Sequence, residues 1–191
     1  VNRLDDTLDQ GGTRPRVTLS ERQRADLDLI AVGAMSPLTG FMDKATYESV
    51  LTDLRLPSGL AWSVPITLAV SDAEAEEIGS AAEVELVDEA GNFVGVIEVT
   101  ERYTTDPQRE ARLVYGTDDA AHPGVASLSA HGTTNLAGPV RVASRMPLDP
   151  AATPYLLDPA ASRAAFAERG WKSVVGFQTR NPIHRAHEYI T

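Results

Sequence analysis

The stretch that decides the fold is Lys172-Ser173-Val174-Val175-Gly176-Phe177-Gln178-Thr179-Arg180-Asn181-Pro182-Ile183-His184-Arg185-Ala186-His187, in a chain of 191 residues. Its first six residues form a short apolar run of the kind found in fully buried strands. After a loop, Asn181-Pro182 supplies a helix N-cap and a proline for the first helical position. Strand, loop and helix in succession are how an α/β domain with a parallel sheet begins, so the stretch predicts such a beginning.

A helix and a linker precede this stretch. Asp158-Pro159 predicts the start of a helix that runs to about Arg169 and stops at Gly170. Three prolines within nine residues near 146–154 discourage regular structure. We therefore expect a first domain at 1–145, a linker at 146–157 and a second domain at 158–191, incomplete because one strand cannot form a stable sheet.

The first 145 residues mix strands with short helices. Serine followed three residues later by glutamine or glutamate predicts helix starts at Ser20 and Ser71. Residues 83–87 alternate polar and apolar side chains, as a half-buried strand does, and 93–99 returns as its hairpin partner. The remaining predicted elements are helices at 43–51 and 107–116 and strands at 65–70 and 136–142. This mixture predicts a compact, barrel-like domain.

Composition and charge narrow the function classes. Hydrophobic residues make up 42% and charged residues 23% of the chain, which is typical of a globular protein, and there is no cysteine. No apolar run approaches the ~18–20 residues that span a bilayer, and the polar start lacks a secretory signal. We expect a cytoplasmic protein with no membrane partner.

The net charge of −10 is unevenly spread, because residues 163–191 carry +3 and the rest carries −13. An acidic body disfavours a broad nucleic-acid footprint, so no nucleic-acid partner is predicted. A small basic end suits a compact anion.

Six polar side chains between the predicted strand and the last helix form the candidate site: Gln178, Thr179, Arg180, Asn181, His184 and His187. Arg180 offers a planar fork that matches two oxygens of a tetrahedral dianion. His184 and His187 are three residues apart, so both project from one face of the helix start. Imidazoles there can donate hydrogen bonds to phosphate oxygens in a transition state. Zinc is disfavoured, because nothing nearby completes a metal site.

These residues resemble the signature of the ATP sulfurylases (sulfate adenylyltransferases), and three further stretches resemble the same family in the same order. The stretches are 36–42, 114–125, 163–177 and the signature itself at 178–187. The resemblance implies a PUA-like, β-rich N-terminal domain followed by the start of a Rossmann-like nucleotidyltransferase domain, an α+β and α/β combination.

The family's reaction is then the expected one: MgATP and sulfate give adenosine 5′-phosphosulfate and pyrophosphate. The resemblance implies that Gln178 and Arg180 hold sulfate and that Thr179, Arg180 and Asn181 lie at the reacting centre. The resemblance also implies that all six side chains contact ATP and that the two histidines stabilise the transition state. Mg²⁺ comes with ATP and is not held by the protein, and the complete enzyme is expected to be a homo-oligomer.

The family's second nucleotide-binding motif, glycine-arginine-aspartate-histidine-alanine, is not present in this sequence. Half of the ATP pocket is therefore missing, and we predict that this polypeptide alone is inactive. Fusion to an adenylylsulfate kinase stays open, although no glycine-rich phosphate loop occurs in the chain.

Parts of the sequence would also fit two other functions. Another nucleotidyltransferase of the same fold would also place paired histidines at a helix start, but Arg180 and Gln178 fit a tetrahedral anion better than an uncharged acceptor. A PUA-like RNA-binding module is the non-enzymatic alternative, and the acidic body disfavours it.

Two smaller motifs are predicted to be structural. Residues 36–42 are expected to form a turn whose Leu38, Phe41 and Met42 fill a core. His122-Pro123-Gly124 is expected to be a turn and not a ligand site.

Overall fold

A computed structural model describes residues 2–8, 11, 13–130 and 132–190. The chain divides into two compact units, 1–150 and 151–191. The elements of the first unit, in chain order, are β1 (Arg16–Thr18), α1 (Glu21–Ala31), β2 (Gly40–Phe41), α2 (Lys44–Asp53), β3 (Leu68–Val70), α3 (Asp72–Ile78), β4 (Glu83–Val87), β5 (Phe93–Glu98), β6 (Glu101–Thr104), α4 (Pro107–Tyr115), α5 (Pro123–Ala130) and β7 (Thr134–Val142).

Local capping chemistry starts the helices where the sequence predicts. Ser20 before α1 and Ser71 before α3 each form a complete capping box with the side chain three residues on. Asp106 accepts backbone N–H groups at the start of α4, and Gly116 ends that helix in the left-handed region. The predicted hairpin is also confirmed, because β4 and β5 pair antiparallel.

Strand β7 organises a seven-stranded mixed sheet, ordered β1-β4-β5-β7-β2, with β3 and β6 also paired to β7. The first half of β7 pairs with β3 and β6, and its second half pairs with β5. Gly138 lies between the halves with φ +144, where a Cβ would come 1.9 Å from the Glu98 carbonyl oxygen. A glycine is needed here because the backbones approach too closely for any side chain.

The core lies between this sheet and helices α1 to α3. Its fully buried side chains include Leu27, Ile30, Leu68, Ile97 and Leu136. The 36–42 motif contributes as expected, since Phe41 and Met42 are both 3% exposed and Leu38 packs against the same cluster. The prediction that this motif is structural is therefore confirmed.

Strand β4 differs from the sequence prediction, because four of its five residues are buried and it is not half-buried. The reason is Glu85, which is 2% exposed and lies under two arginines. Arg16 Nε is 3.0 Å from its carboxylate and Arg14 Nη1 is 3.9 Å away. A carboxylate can be buried when it is paired with a positive charge. The alternating pattern of β4 does not show that arginines from another part of the chain pair with it, so the burial was not predicted.

The segment His122-Pro123-Gly124 also differs from its prediction as a turn, because Pro123 begins helix α5. The His122 imidazole accepts the Gly124 N–H through Nδ1 at 3.2 Å, and its carbonyl accepts the Ala126 N–H at 3.0 Å. The motif is therefore a helix start with proline at the first position.

The segment that leaves β7 is fixed to helix α1. Asp28 accepts hydrogen bonds from Arg145 Nη2 at 3.1 Å and from the Met146 N–H at 2.9 Å. Arg24 Nη2 donates to the Ser144 carbonyl at 2.9 Å. These three bonds set the path by which the chain enters the predicted linker.

The second unit holds a short 3₁₀ helix (Thr153–Tyr155), α6 (Pro159–Glu168) and α7 (Arg185–Ile190). Helix α6 matches its prediction, and Gly170 follows it with φ +65. The 3₁₀ helix lies within the segment 146–157, which stays a predicted linker. Among the described residues, no helix is long and apolar enough to cross a membrane.

The predicted buried strand at 172–177 is wrong. These residues are exposed, with Val174 at 50%, Val175 at 74% and Phe177 at 44%. A strand is stable only when a neighbour pairs with its N–H and C=O groups, and none does so among the residues that the structure describes.

Candidate active site

The candidate site lies in the second unit, on the extended segment after α6 and the start of α7. Trp171 is packed by the Phe166 ring at 6.0 Å and by the Arg169 guanidinium at 5.4 Å from its ring centre. Stacking on both a ring and a cation fixes the point where the segment leaves the helix.

A threonine turn shapes the loop. Thr179 Oγ1 accepts the Asn181 N–H at 3.0 Å and donates to the Asn181 carbonyl at 3.3 Å. Both backbone groups of Asn181 are thus hydrogen-bonded to Thr179. Asn181 also precedes a proline, and a residue in that position is disfavoured in the helical region. The predicted helix start at Asn181-Pro182 is therefore corrected, because α7 begins at Arg185.

The His184 carbonyl is the acceptor of the first hydrogen bonds of α7. Its carbonyl accepts the N–H groups of His187 at 2.8 Å and Glu188 at 3.2 Å. His184 therefore lies directly before the first turn of α7 and His187 lies within that turn, and these hydrogen bonds fix the distance between them.

The two imidazoles lie side by side, as the spacing predicts. The ring centroids of His184 and His187 are 4.0 Å apart, and the Phe177 ring lies 5.7 Å from that of His187. Sequence reasoning did not anticipate the role of Phe177, although an aromatic residue directly before a polar loop was a usable signal. The structure therefore places a row of three rings along one side of the segment.

Backbone hydrogen bonds fix which imidazole nitrogens can donate. His184 Nδ1 accepts the Ala186 N–H and His187 Nδ1 accepts the His184 N–H, each at 3.3 Å. A neutral imidazole with one accepting nitrogen carries its proton on the other, so in the neutral form of each ring this geometry assigns the hydrogen to Nε2. The pair is thus arranged to donate hydrogen bonds, which an anionic oxygen accepts.

The remaining predicted groups lie along the same exposed segment. Gln178, Arg180 and Asn181 are exposed and Thr179 is half-buried. Within the described part of the chain, the side chains of Gln178 and Arg180 form no hydrogen bond or ion pair. The structure thus joins Thr179 to Asn181 and His184 to His187, and it leaves Gln178 and Arg180 facing solvent.

The donor set suits an anion better than a metal ion. Guanidinium, amide, hydroxyl and imidazole N–H groups donate to oxygen, whereas Mg²⁺ needs oxygen ligands such as carboxylates. Among the described residues, no group of three or more histidine, aspartate or glutamate side chains could hold a metal.

Comparison with known proteins first defines the class of each part. Residues 2–145 match the family model of the PUA-like domain, which confirms the expectation for the first unit. Residues 153–191 match the family model of ATP-sulfurylase.

Named relatives then match the chain as a whole. The chain is 54% identical over 185 residues to the sulfate adenylyltransferase of Synechococcus elongatus. It is 51% identical over 185 residues to that of Acaryochloris marina and 51% identical over 186 residues to that of Symbiobacterium thermophilum. These alignments cover 96–97% of this chain and 46–47% of the relatives, so the chain spans about half their length. The chain therefore contains a PUA-like domain at residues 2–145, and over 96–97% of its length it is similar to sulfate adenylyltransferases, also called ATP sulfurylases.

A solved structure shares the fold. The hexameric APS kinase from Thiobacillus denitrificans superposes with a TM-score of 0.71 at 26% identity, over all of this chain and 34% of that one. The similarity covers both units of the chain, although that protein is named as a kinase.

Proposed function

We propose that the complete protein carrying this chain is a sulfate adenylyltransferase, which converts ATP and sulfate to adenosine 5′-phosphosulfate and pyrophosphate. The observation that carries the proposal is the pair of imidazoles 4.0 Å apart on a segment that also presents Arg180. Relatives of that name at 51–54% identity over 96–97% of the chain support it.

The chemistry demands charge neutralisation and alignment more than covalent catalysis. Sulfate is a weak nucleophile, and it attacks a phosphorus surrounded by negative oxygens. Arg180 and Gln178 are proposed to hold the sulfate, because a guanidinium fork matches two oxygens of a tetrahedral dianion. The attack displaces pyrophosphate, and the electron pair of the broken P–O bond leaves with it.

The other four side chains are proposed to serve the ATP phosphates. Thr179 and Asn181 lie at the turn beside Arg180 and contact the reacting phosphate. His184 and His187 donate through Nε2 as negative charge grows on the phosphate oxygens. Together with Gln178 and Arg180 these residues form the ATP-binding set.

Mg²⁺ is proposed to enter with ATP, held by phosphate and water. When bound it offsets charge on the departing pyrophosphate. Glu188 is the single carboxylate of residues 178–190, which leaves this segment poor in the ligands that a protein-held magnesium site needs.

We also propose the organisation of the complete protein. The first domain covers 1–145, a linker covers 146–157, and 158–191 begins a Rossmann-like catalytic domain that the downstream half of the relatives completes. A homo-oligomer is proposed because the structural neighbour is described as hexameric. A cytoplasmic location is proposed because ATP is the substrate.

The test is a choice of acceptors offered to the complete protein. Selenate and molybdate, which are tetrahedral dianions, should compete with sulfate for the acceptor site, whereas an uncharged alcohol should not. Adenylyl transfer to the alcohol, unaffected by sulfate or molybdate, would replace this proposal with a nucleotidyltransferase of another specificity.

A further inference from the structure

A polar hollow in the first unit lies outside the candidate active site. It is partly open to solvent and is lined by α1, the start of α4, α5 and the adjoining ends of β3 and β7, and its volume is about 50 Å³. A cavity needs roughly 10–15 Å³ to hold one water, so this one has room for a few atoms of ligand. Its polar lining includes Arg22, Asp26, Thr105, Glu110 and Asn135.

Two carboxylates line the hollow with few partners of their own. Glu110 is 7% exposed and accepts one hydrogen bond, from the Tyr47 hydroxyl to Oε2 at 2.9 Å. Asp26 is half-buried and forms no hydrogen bond with the described residues. Burial raises the pKa of both groups, which shows that the protein itself supplies too little stabilisation for their charges.

Asn135 adds an independent sign of a missing partner. It is 2% exposed and donates through Nδ2 to Thr105 Oγ1 at 3.1 Å and to the Thr133 carbonyl at 3.3 Å. Its Oδ1 is buried and has no partner among the described residues. An unsatisfied buried acceptor costs about 1–3 kcal/mol, and because this oxygen has almost no accessible surface, a donor in the hollow reaches it only if the side chain moves.

The charge of the hollow selects a cation. Arg22 lies close enough to lower the pKa of both Asp26 and Glu110, yet it forms no ion pair within 4.0 Å of either. Two carboxylates and one guanidinium leave a net negative charge when both acids are ionised. An occupant with one positive charge and several N–H donors satisfies both the charge and the unpaired acceptors.

We propose that this hollow binds the primary ammonium group of a small amine. An ammonium group carries three donors and no acceptor, which matches an acceptor lining that includes two carboxylates. The small volume admits the –CH₂–NH₃⁺ head and excludes a quaternary ammonium, whose four carbons block donation. A metal is a poorer match, since the described residues offer no cluster of three metal-ligating acids or histidines.

The probe is ethylammonium, titrated into the isotopically labelled protein and followed by NMR. We expect saturable shifts at Asp26, Glu110 and the Asn135 side-chain NH₂, and no saturation with tetramethylammonium. Nα-acetyl-lysine amide serves as a second probe. Tighter binding of this probe than of ethylammonium would identify a lysine side chain, and not a free amine, as the source of the same ammonium group.

Three variants test the assignment. Asp26→Asn should weaken ethylammonium binding at least about tenfold, and Arg22→Ala should tighten it about threefold because a competing cation is removed. Asp53→Asn removes the same charge from an exposed position on α2 and should leave binding within about twofold. Thermal melting of each variant checks that the fold is unchanged.

The proposal is overturned if ethylammonium gives no saturable shifts. It is also overturned if Asp53→Asn weakens binding as much as Asp26→Asn, because the interaction would then be a general attraction to the acidic body. Neither result bears on sulfate activation, since the hollow shares no residue with the candidate active site.

Discussion

We propose that Arg180 is the residue on which sulfate specificity of the complete protein depends most. Its guanidinium is exposed and forms no contact that supports the fold, so its replacement should affect chemistry and not stability. Arg180→Ala in the complete enzyme should lower kcat by about 10²–10³, the usual effect of removing one transition-state donor. The melting temperature should not change.

The matched control for Arg180 is Arg163→Ala, which removes an exposed arginine from α6. It should leave kcat within about twofold. Equal losses in the two variants would mean that general positive charge, and not the position of Arg180, supports catalysis.

The imidazole arrangement makes a prediction that separates the two ring nitrogens of His184. A glutamine side chain can place its amide NH₂ near the Nε2 position, whereas asparagine reaches only as far as Nδ1. His184→Asn should therefore lower kcat more than it weakens ATP binding, and His184→Gln should retain more activity than His184→Asn. Single-turnover kinetics and ATP binding measured separately would check this. Equal activity of the two variants, or a loss confined to ATP affinity, would contradict the donor role of Nε2–H.

Glu110 makes a prediction about pH and stability. Burial raises the pKa of its carboxyl above the ordinary 4.5, although the Tyr47 hydroxyl and Arg22 oppose that shift. The folded state therefore binds its proton more tightly than the unfolded state, and stability falls as pH rises from about 4.5 through the folded-state pKa. Glu110→Gln, which keeps an acceptor for Tyr47, should lose less stability over that range than the natural protein. A difference in melting temperature that stays constant with pH would refute the assignment.

At the scale of elements, the close crossing of β7 with its neighbours is the most constrained feature. A Cβ at Gly138 would lie 1.9 Å from the Glu98 carbonyl oxygen, whereas one at Gly91 would meet nothing within 4 Å. Both glycines have positive φ, at +144 and +81, so Gly91 serves as the control.

Gly138→Ala should destabilise the protein by more than about 3 kcal/mol or prevent folding, and Gly91→Ala should cost about 1 kcal/mol. Urea denaturation, with the same slope for all variants, provides the comparison. Similar losses at both positions would mean that the crossing relaxes and that only the positive φ matters.

Elements governed by local chemistry could be predicted from the sequence. The capping boxes at Ser20 and Ser71 and the glycine stop at Gly116 act within a few residues, so their signals lie side by side in the chain. Elements that depend on distant partners were not predicted correctly. The burial of β4 requires arginines about seventy residues away, and a strand at 172–177 requires neighbours that the described residues do not supply.

The candidate site shows the same division. Spacing alone predicted that His184 and His187 lie together, because three residues on a helical turn share a face. The later helix start and the Phe177 contact depend on the Thr179 turn and on how the chain folds back. The placement of Gln178 and Arg180 on sulfate stays a prediction.

At the scale of the whole molecule, the chain represents about half of its relatives, 46–47% of their length. The exposed apolar side chains of 172–190 agree with the proposal that other residues of the complete protein cover this segment. We therefore expect residues 1–191 alone to release no pyrophosphate from ATP in a sulfate-dependent manner. Measurable turnover by this polypeptide would show that the first motif suffices.

The most direct test of the central claim is the sulfate dependence of pyrophosphate release from ATP by the complete protein. We expect release only when sulfate is present, with an equal amount of adenosine 5′-phosphosulfate formed and both products lost in Arg180→Ala. Release that is independent of sulfate, or full product formation by the Arg180 variant, would contradict the account.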